Sequence, residues 1–191
     1  MTDASTAPTT PDATDDAVPR LVNDLTGRVE IAARHVVSAR QYTMTLLQDL
    51  TEDEWFWNPD SMITHVAWQV GHLAFAQYGL MLFRQRGRST DDKQLMSGRF
   101  RKTFAKGTTP STDRSQYPPR DEILATLDRI HLQSMRELAT CSDAELDEPI
   151  DQPWSTWPTR YGALLFAGDH EMLHAGQIGM LRRLMGKDPV R

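Results

Sequence analysis

Apolar residues near the start of the chain recur at steps close to one helical turn. Leu21, Leu25, Val29, Ala32, Val36, Ala39, Met44 and Leu47 follow one another in this way, the period of one buried helix face, and Asp53 and Pro59 lie just past its end. A second helix is predicted through "HVAWQVGHLAFAQYGLMLFRQRG" to Gly87, with Asp60, Ser61 or Thr64 able to cap it. It is apolar nearly all round. Ile123, Leu124, Leu127, Ile130, Met135 and Leu138 share one broad face behind the acidic start Asp121 and Glu122, giving a third helix. A fourth runs from about Tyr161 to Met185, with Thr159 to cap it and Gly186 and Pro189 to stop it. Four long helices without a convincing strand predict an all-α fold, a four-helix bundle.

The connections divide the rest of the chain. Residues 1–18, "MTDASTAPTTPDATDDAV", offer almost nothing to bury and read as a disordered acidic tail, leaving a bundle domain over 19–188. Between helices two and three lies a long excursion over residues 88–118, well beyond the roughly 2–8 residues usual in bundles. It carries seven cations (Arg88, Lys93, Arg99, Arg101, Lys102, Lys106, Arg114) against three acids (Asp91, Asp92, Asp113), a net of +4. Phe100, Phe104 and Tyr117 are interleaved, so part of it is expected to pack on the body. A solvated loop and an anion-attracting lid both fit that composition.

Global composition narrows the function. Of the 191 residues 39% are hydrophobic and 25% charged, and the mean hydropathy is −0.51. With no apolar run near the ~18 residues a span requires, a membrane home is not expected. A net charge of −5 gives no general attraction to nucleic acid. Cys141 is the single cysteine, so an intrachain disulfide and thiolate-rich structural zinc are excluded, and any metal must rely on nitrogen and oxygen. The N-terminus shows neither a secretory nor a transit pattern, which predicts a cytoplasmic protein.

Histidine spacing supplies the candidate chemistry. His170 and His174 are four apart within the fourth helix, offset by about 40° around the axis and about 6 Å along it, so both rings can aim at one point. Two ligands make a weak site, and a catalytic ion usually takes three. His72 is the best third candidate, because "AWQVGHLAF" surrounds it with apolar and small residues, and a buried imidazole needs a partner. Gly71 beside it points to close packing there. His65, seven residues earlier, lies about 10 Å away along the axis and reads as an N-terminal helix residue. His35 and His131 read as surface or otherwise satisfied histidines. The alternative to a three-histidine site is a buried histidine plus a surface pair.

At these residues the chain resembles the DinB-like (DinB/YfiT) superfamily of metal-binding four-helix bundles. "WQVGHLA", "YPPRDEILATLDRIH" and "HEMLHAGQIGMLRRLMGK" carry the likeness, which spans most of residues 20–188. It implies His72, His170 and His174 as metal ligands, and an activity like that of the superfamily's metal-dependent hydrolases and bacterial thiol-dependent transferases. "WQVGH" is also similar to the metal-binding helix of ergothioneine-pathway sulfoxide synthases, which need a second catalytic domain; with five residues after Gly186, that chemistry is not expected here.

Three neutral imidazoles leave a divalent ion its full charge, which suits it to acidify water or a low-molecular-weight thiol. Zinc is the first choice, and nickel and iron also accept imidazole. Gln177, on the helix face of the pair, is a candidate to hydrogen-bond a ligand, and Trp68, four before His72, a candidate pocket wall. Glu171 and Asp169 turn about 100° away from the neighbouring ligand, so neither is assigned as general base and the catalytic residues stay open. The expectation is a metal-dependent transferase or hydrolase acting on a small molecule; the rival is a non-catalytic metal-binding or stress-response bundle. The apolar faces of helices one and two would also serve a homodimer, although a buried core explains the same residues.

Overall fold

A computed structural model of the chain describes residues 27–59, 64–151 and 157–190. The tail at 1–18, Leu21 and Leu25 of the first helix, and the candidate caps Asp60 and Ser61 lie outside the described residues. In chain order the helices are α1 (Gly27–Leu47), α2 (Glu52–Phe56), α3 (Val66–Gln77), α4 (Asp92–Leu95), α5 (Gly98–Phe104), α6 (Arg120–Leu138) and α7 (Arg160–Leu184). Among the described residues the only extended pairing is an isolated bridge between Pro149 and Thr159. The fold is all-α, with α1, α3, α6 and α7 as its long members.

Local chemistry sets the ends. The Thr159 hydroxyl accepts the Gly162 N–H at 3.1 Å, as expected of a cap. For α3 the cap is His65, whose Nδ1 accepts the Trp68 N–H at 3.2 Å. Gly87 and Gly186 end their helices at φ 81° and 80°, the left-handed region glycine tolerates. Between Gln77 and its last turn, Arg84–Arg86, α3 widens into a π segment over Tyr78–Phe83. There the side chains of Arg84 and Gln85 each donate to a carbonyl, those of Gly79 and Leu80. A run apolar on every face carries no periodicity in which one wider turn would register.

Helix directions explain the long excursion. Along α1 and α7, Arg28 lies over Tyr161, Arg40 meets Glu171 and Arg182 reaches the Leu46 carbonyl, so the two run parallel. Along α3 and α6, Gln77 meets His131 and Arg86 meets Glu137, so these are parallel too. Between α3 and α7 the order reverses, with Gln69 at His174 and Gln85 at Arg160. A parallel α3 and α6 oblige the chain to return the length of the bundle between them, roughly 30 Å for twenty-one residues of helix. The excursion is that return. It carries α4 and α5 and buries Met96, Phe100, Phe104 and Tyr117 in the core, as the interleaved aromatics predicted.

The core divides into two apolar clusters, one holding Leu46, Val70, Leu127 and Ile178, the other Val36, Met81, Met135 and Leu164. Between them lies a buried polar layer. Arg40 donates to Glu171 at 2.7 and 3.2 Å and to Gln77 Oε1 at 2.8 Å, and Gln77 Nε2 donates to His131 Nδ1 at 2.9 Å. One polar side chain from each long helix joins this chain of bonds.

Glycines on α3 and α7 test the packing. A Cβ on Gly71 would lie 2.3 Å from the Phe104 ring, whereas one on Gly176 meets nothing within 4 Å. Gly71→Ala should therefore destabilise the protein by about 1–3 kcal/mol through overpacking. Gly176→Ala should stabilise it by about 0.5–1 kcal/mol through helix propensity. Urea denaturation of the two variants checks both signs.

Candidate metal centre

The three candidate ligands meet between α3 and α7. His170 and His174 project from successive turns of α7, and His72 faces them from α3 with ring centroids 5.4 and 5.0 Å away. One ring nitrogen from each lies within 4.8 Å of the others, the only such cluster of potential ligands among the described residues. The His170 and His174 Nε2 atoms are 3.3 Å apart. Two nitrogens held about 2.0–2.1 Å from one tetrahedral ion would be separated by roughly the same distance.

Hydrogen bonds behind the rings set their tautomers. His72 Nδ1 lies 2.8 Å from the Phe104 carbonyl, which can only accept, so the proton sits on Nδ1 and the Nε2 lone pair is free. His174 Nδ1 is likewise bonded to Gln69 Oε1. That amide is itself oriented, because Gln69 Nε2 donates to the Thr64 hydroxyl at 2.8 Å. Two of the three rings are therefore fixed with Nε2 toward the common point. This donor set fits a divalent ion such as zinc, nickel or iron through nitrogen alone.

Burial keeps these rings neutral. Desolvation pushes His170 down to about 4, aided by the charges of His72 and Lys106, and His174 down to about 3, aided by His170 and His72. His72 is also lowered, mainly by burial. Neutral imidazole is the ligating form, so the rings need lose no proton to bind a metal at neutral pH.

The surroundings differ from the sequence reading in instructive ways. Trp68 stacks on His72 with centroids 4.8 Å apart and planes 6° from parallel, and its indole N–H donates to Thr108 at 3.2 Å. Phe75 and Phe166 lie beside His72 and His170, with ring centroids 6.0 and 5.7 Å away. Gln177 is exposed, and the amide that engages a ligand is Gln69. It lies inside "WQVGH", three residues before His72, and that spacing was its only signal. The Phe104 carbonyl had none, since a backbone acceptor on a connecting segment leaves no mark on residue type. Glu171 faces Arg40 and Asp169 lies 2.9 Å from His35 Nε2, so both carboxylates are engaged elsewhere. His131 is buried and satisfied by Gln77. Arg182, in the last turn of α7, is buried and bonds Asp49 and the Leu46 carbonyl. A cavity of about 510 Å³ lies elsewhere, lined by Arg86, Glu137, Cys141 and Arg160. Its charges are paired with one another or with neighbours, and it contains none of the three histidines.

Removing the bond behind His174 should weaken the metal without unfolding the bundle. For Gln69→Leu we expect zinc affinity to fall about 10- to 100-fold, measured by chelator competition, while the helical signal persists. Metal-free protein should lose stability on acidification before any carboxylate titrates. The unfolded chain takes up histidine protons near pH 6.5, whereas His65 and His170 resist until about 4 and His174 until about 3. The unfolded state thus binds more protons below pH 6.5, so stability is full above that value and declines as pH falls. A urea midpoint that stayed flat from pH 7 to 5 would contradict this.

No curated protein matches the chain. The sequence model of the DinB superfamily matches residues 35–178, three quarters of the chain, from the middle of α1 through all three candidate ligands. By that match, and with the helical bundle and histidine cluster that go with it, the chain belongs to the DinB superfamily.

Proposed function

We propose that this protein is a divalent-metal-dependent enzyme acting on a small electrophile, with zinc as its ion and thiol S-transfer favoured over hydrolysis. The observation that carries the proposal is the convergence of three neutral imidazoles, two of them tautomer-locked from behind, with His170 only partly buried. Three protein ligands and a partly open flank are the pattern of a reactive site, whereas closed structural sites take four. When bound, the ion supplies Lewis acidity that lowers the pKa of a thiol or water.

The chain's own residues do the rest. Phe104 and Gln69 hold the imidazoles in the ligating tautomer, and Trp68, Phe75 and Phe166 exclude water from the flanks of the ligand rings. Hydrolysis ordinarily calls for a positioned general base, and the two carboxylates flanking His170 are held by Arg40 and His35. A thiol with a pKa near 8.5 needs less help than water, which supports transfer. The same engaged carboxylates favour a second reading, a non-catalytic metal-binding bundle.

Untagged protein should purify with about one zinc per chain, and the paired variant His170→Ala and His174→Ala should lose it. Loaded protein is then assayed with low-molecular-weight thiols against chlorinated and epoxide electrophiles, beside an ester and amide panel. His72→Ala should lower turnover at least about 100-fold. Bound metal with no turnover of any substrate would leave the non-catalytic reading in place; absence of stoichiometric metal would remove both.

A further inference from the structure

The return segment reaches the metal centre at two fixed points. The Phe104 carbonyl is bonded to His72, and Thr108 accepts the Trp68 indole N–H while its hydroxyl bonds the carbonyls of Thr103 or Ala105. His72 and Trp68 are stacked on each other. The loop between these anchors, "FAKGT", turns at Gly107 with φ 86° and presents Lys106 at its apex, exposed. The backbone of Lys106 is thus held by anchors two residues to either side, close enough for its charge to act on His72 and His170.

Around these anchors the segment's charge is of one sign. From Gly98 to Thr112 it holds Arg99, Arg101, Lys102 and Lys106 and no acid, and the three cations on α5 are exposed. Phe100 and Phe104 are buried beneath them. The rim of the site is apolar on its α3 and α7 sides, with Trp68, Phe75 and Phe166 beside the ligand rings. A cation carried on a held loop near aromatic side chains matches a ligand with an apolar body and one anionic end.

Resting on the metal-enzyme reading above, we propose that the substrate carries a carboxylate, bound by Lys106 at the rim of the three-histidine site, with its apolar body against Trp68, Phe75 and Phe166. Lys106 is then a specificity-determining residue rather than a catalytic one. The field of the α5 cations draws the anion in, and the attraction weakens as salt shortens the Debye length.

The probe is phenylacetate, with neutral phenylacetamide as its isostere, titrated into metal-free and zinc-loaded protein and followed by NMR of the histidine rings. Phenylacetate should bind in both forms and the amide should not. Lys106→Ala and Lys106→Gln should each weaken phenylacetate about 5- to 10-fold, as for one charge-assisted bond at an exposed rim. Lys106→Arg should retain it, and binding should fall with added salt. Equal binding of the amide, unchanged binding in the Ala and Gln variants, or no binding in either form would overturn the proposal. Zinc content of the Lys106 variants is measured alongside. One zinc per chain with no carboxylate preference would defeat this inference alone, whereas a protein that shows the carboxylate preference but takes up no stoichiometric zinc would defeat the metal reading instead.

Discussion

The parallel packing of α3 and α6 is the constraint from which the site's architecture follows. Two parallel helices cannot be joined by a tight turn, so the chain must climb back along the bundle before α6 can begin. The return passes over α3, and there it is used twice. The Phe104 ring fills the space left by Gly71, and the Phe104 carbonyl accepts the Nδ1–H of His72. Any side chain at position 71 would push the ring out and draw the carbonyl off its histidine. Packing and ligand orientation therefore rest on one contact between a connecting segment and a helix.

A second constraint fixes α7. Burying a charged pair costs several kcal/mol per ion, repaid only when geometry and further hydrogen bonds are good. Arg40 and Glu171 meet that condition through two bonds to each other and a third to Gln77, which passes the chain on to His131. Because the pair has fixed partners, it admits one rotation of α7 about its axis. At Gly168 a Cβ would lie 2.3 Å from the His35 ring, so α1 and α7 approach closely there as well. Glu171 directly follows His170, and the rotation that satisfies Arg40 is the one that turns His170 and His174 toward α3.

Much of this was legible in the sequence because it is written in side-chain period and type. The four long helices follow from apolar spacing, the Thr159 cap and Gly186 stop from residue chemistry, and the His170–His174 pair from a four-residue step. What escaped was carried by other means. The α3 cap is a histidine rather than the Asp, Ser or Thr nearby, since His65 Nδ1 can accept an N–H only while its ring stays neutral and buried. The purpose of the excursion depended on helix directions, which no local pattern encodes. The amide behind His174 is on α3, although attention to α7 alone pointed to Gln177. Phe104 contributes through its backbone, where side-chain identity is silent.

These two constraints also give the centre its charge. Glu171 is the one carboxylate among the described buried residues and sits one position from a ligand. An unpaired carboxylate there would offset the charge of an ion and blunt its power to acidify what it binds. About 100° around the helix from His170, it is instead neutralised by Arg40. On the other side Lys106 of the return segment lowers the proton affinity of both His72 and His170. The site is therefore assembled from neutral donors, with its buried carboxylate neutralised and a lysine near two of its rings. That lysine comes from the return segment, the same stretch of chain that the parallel helices required.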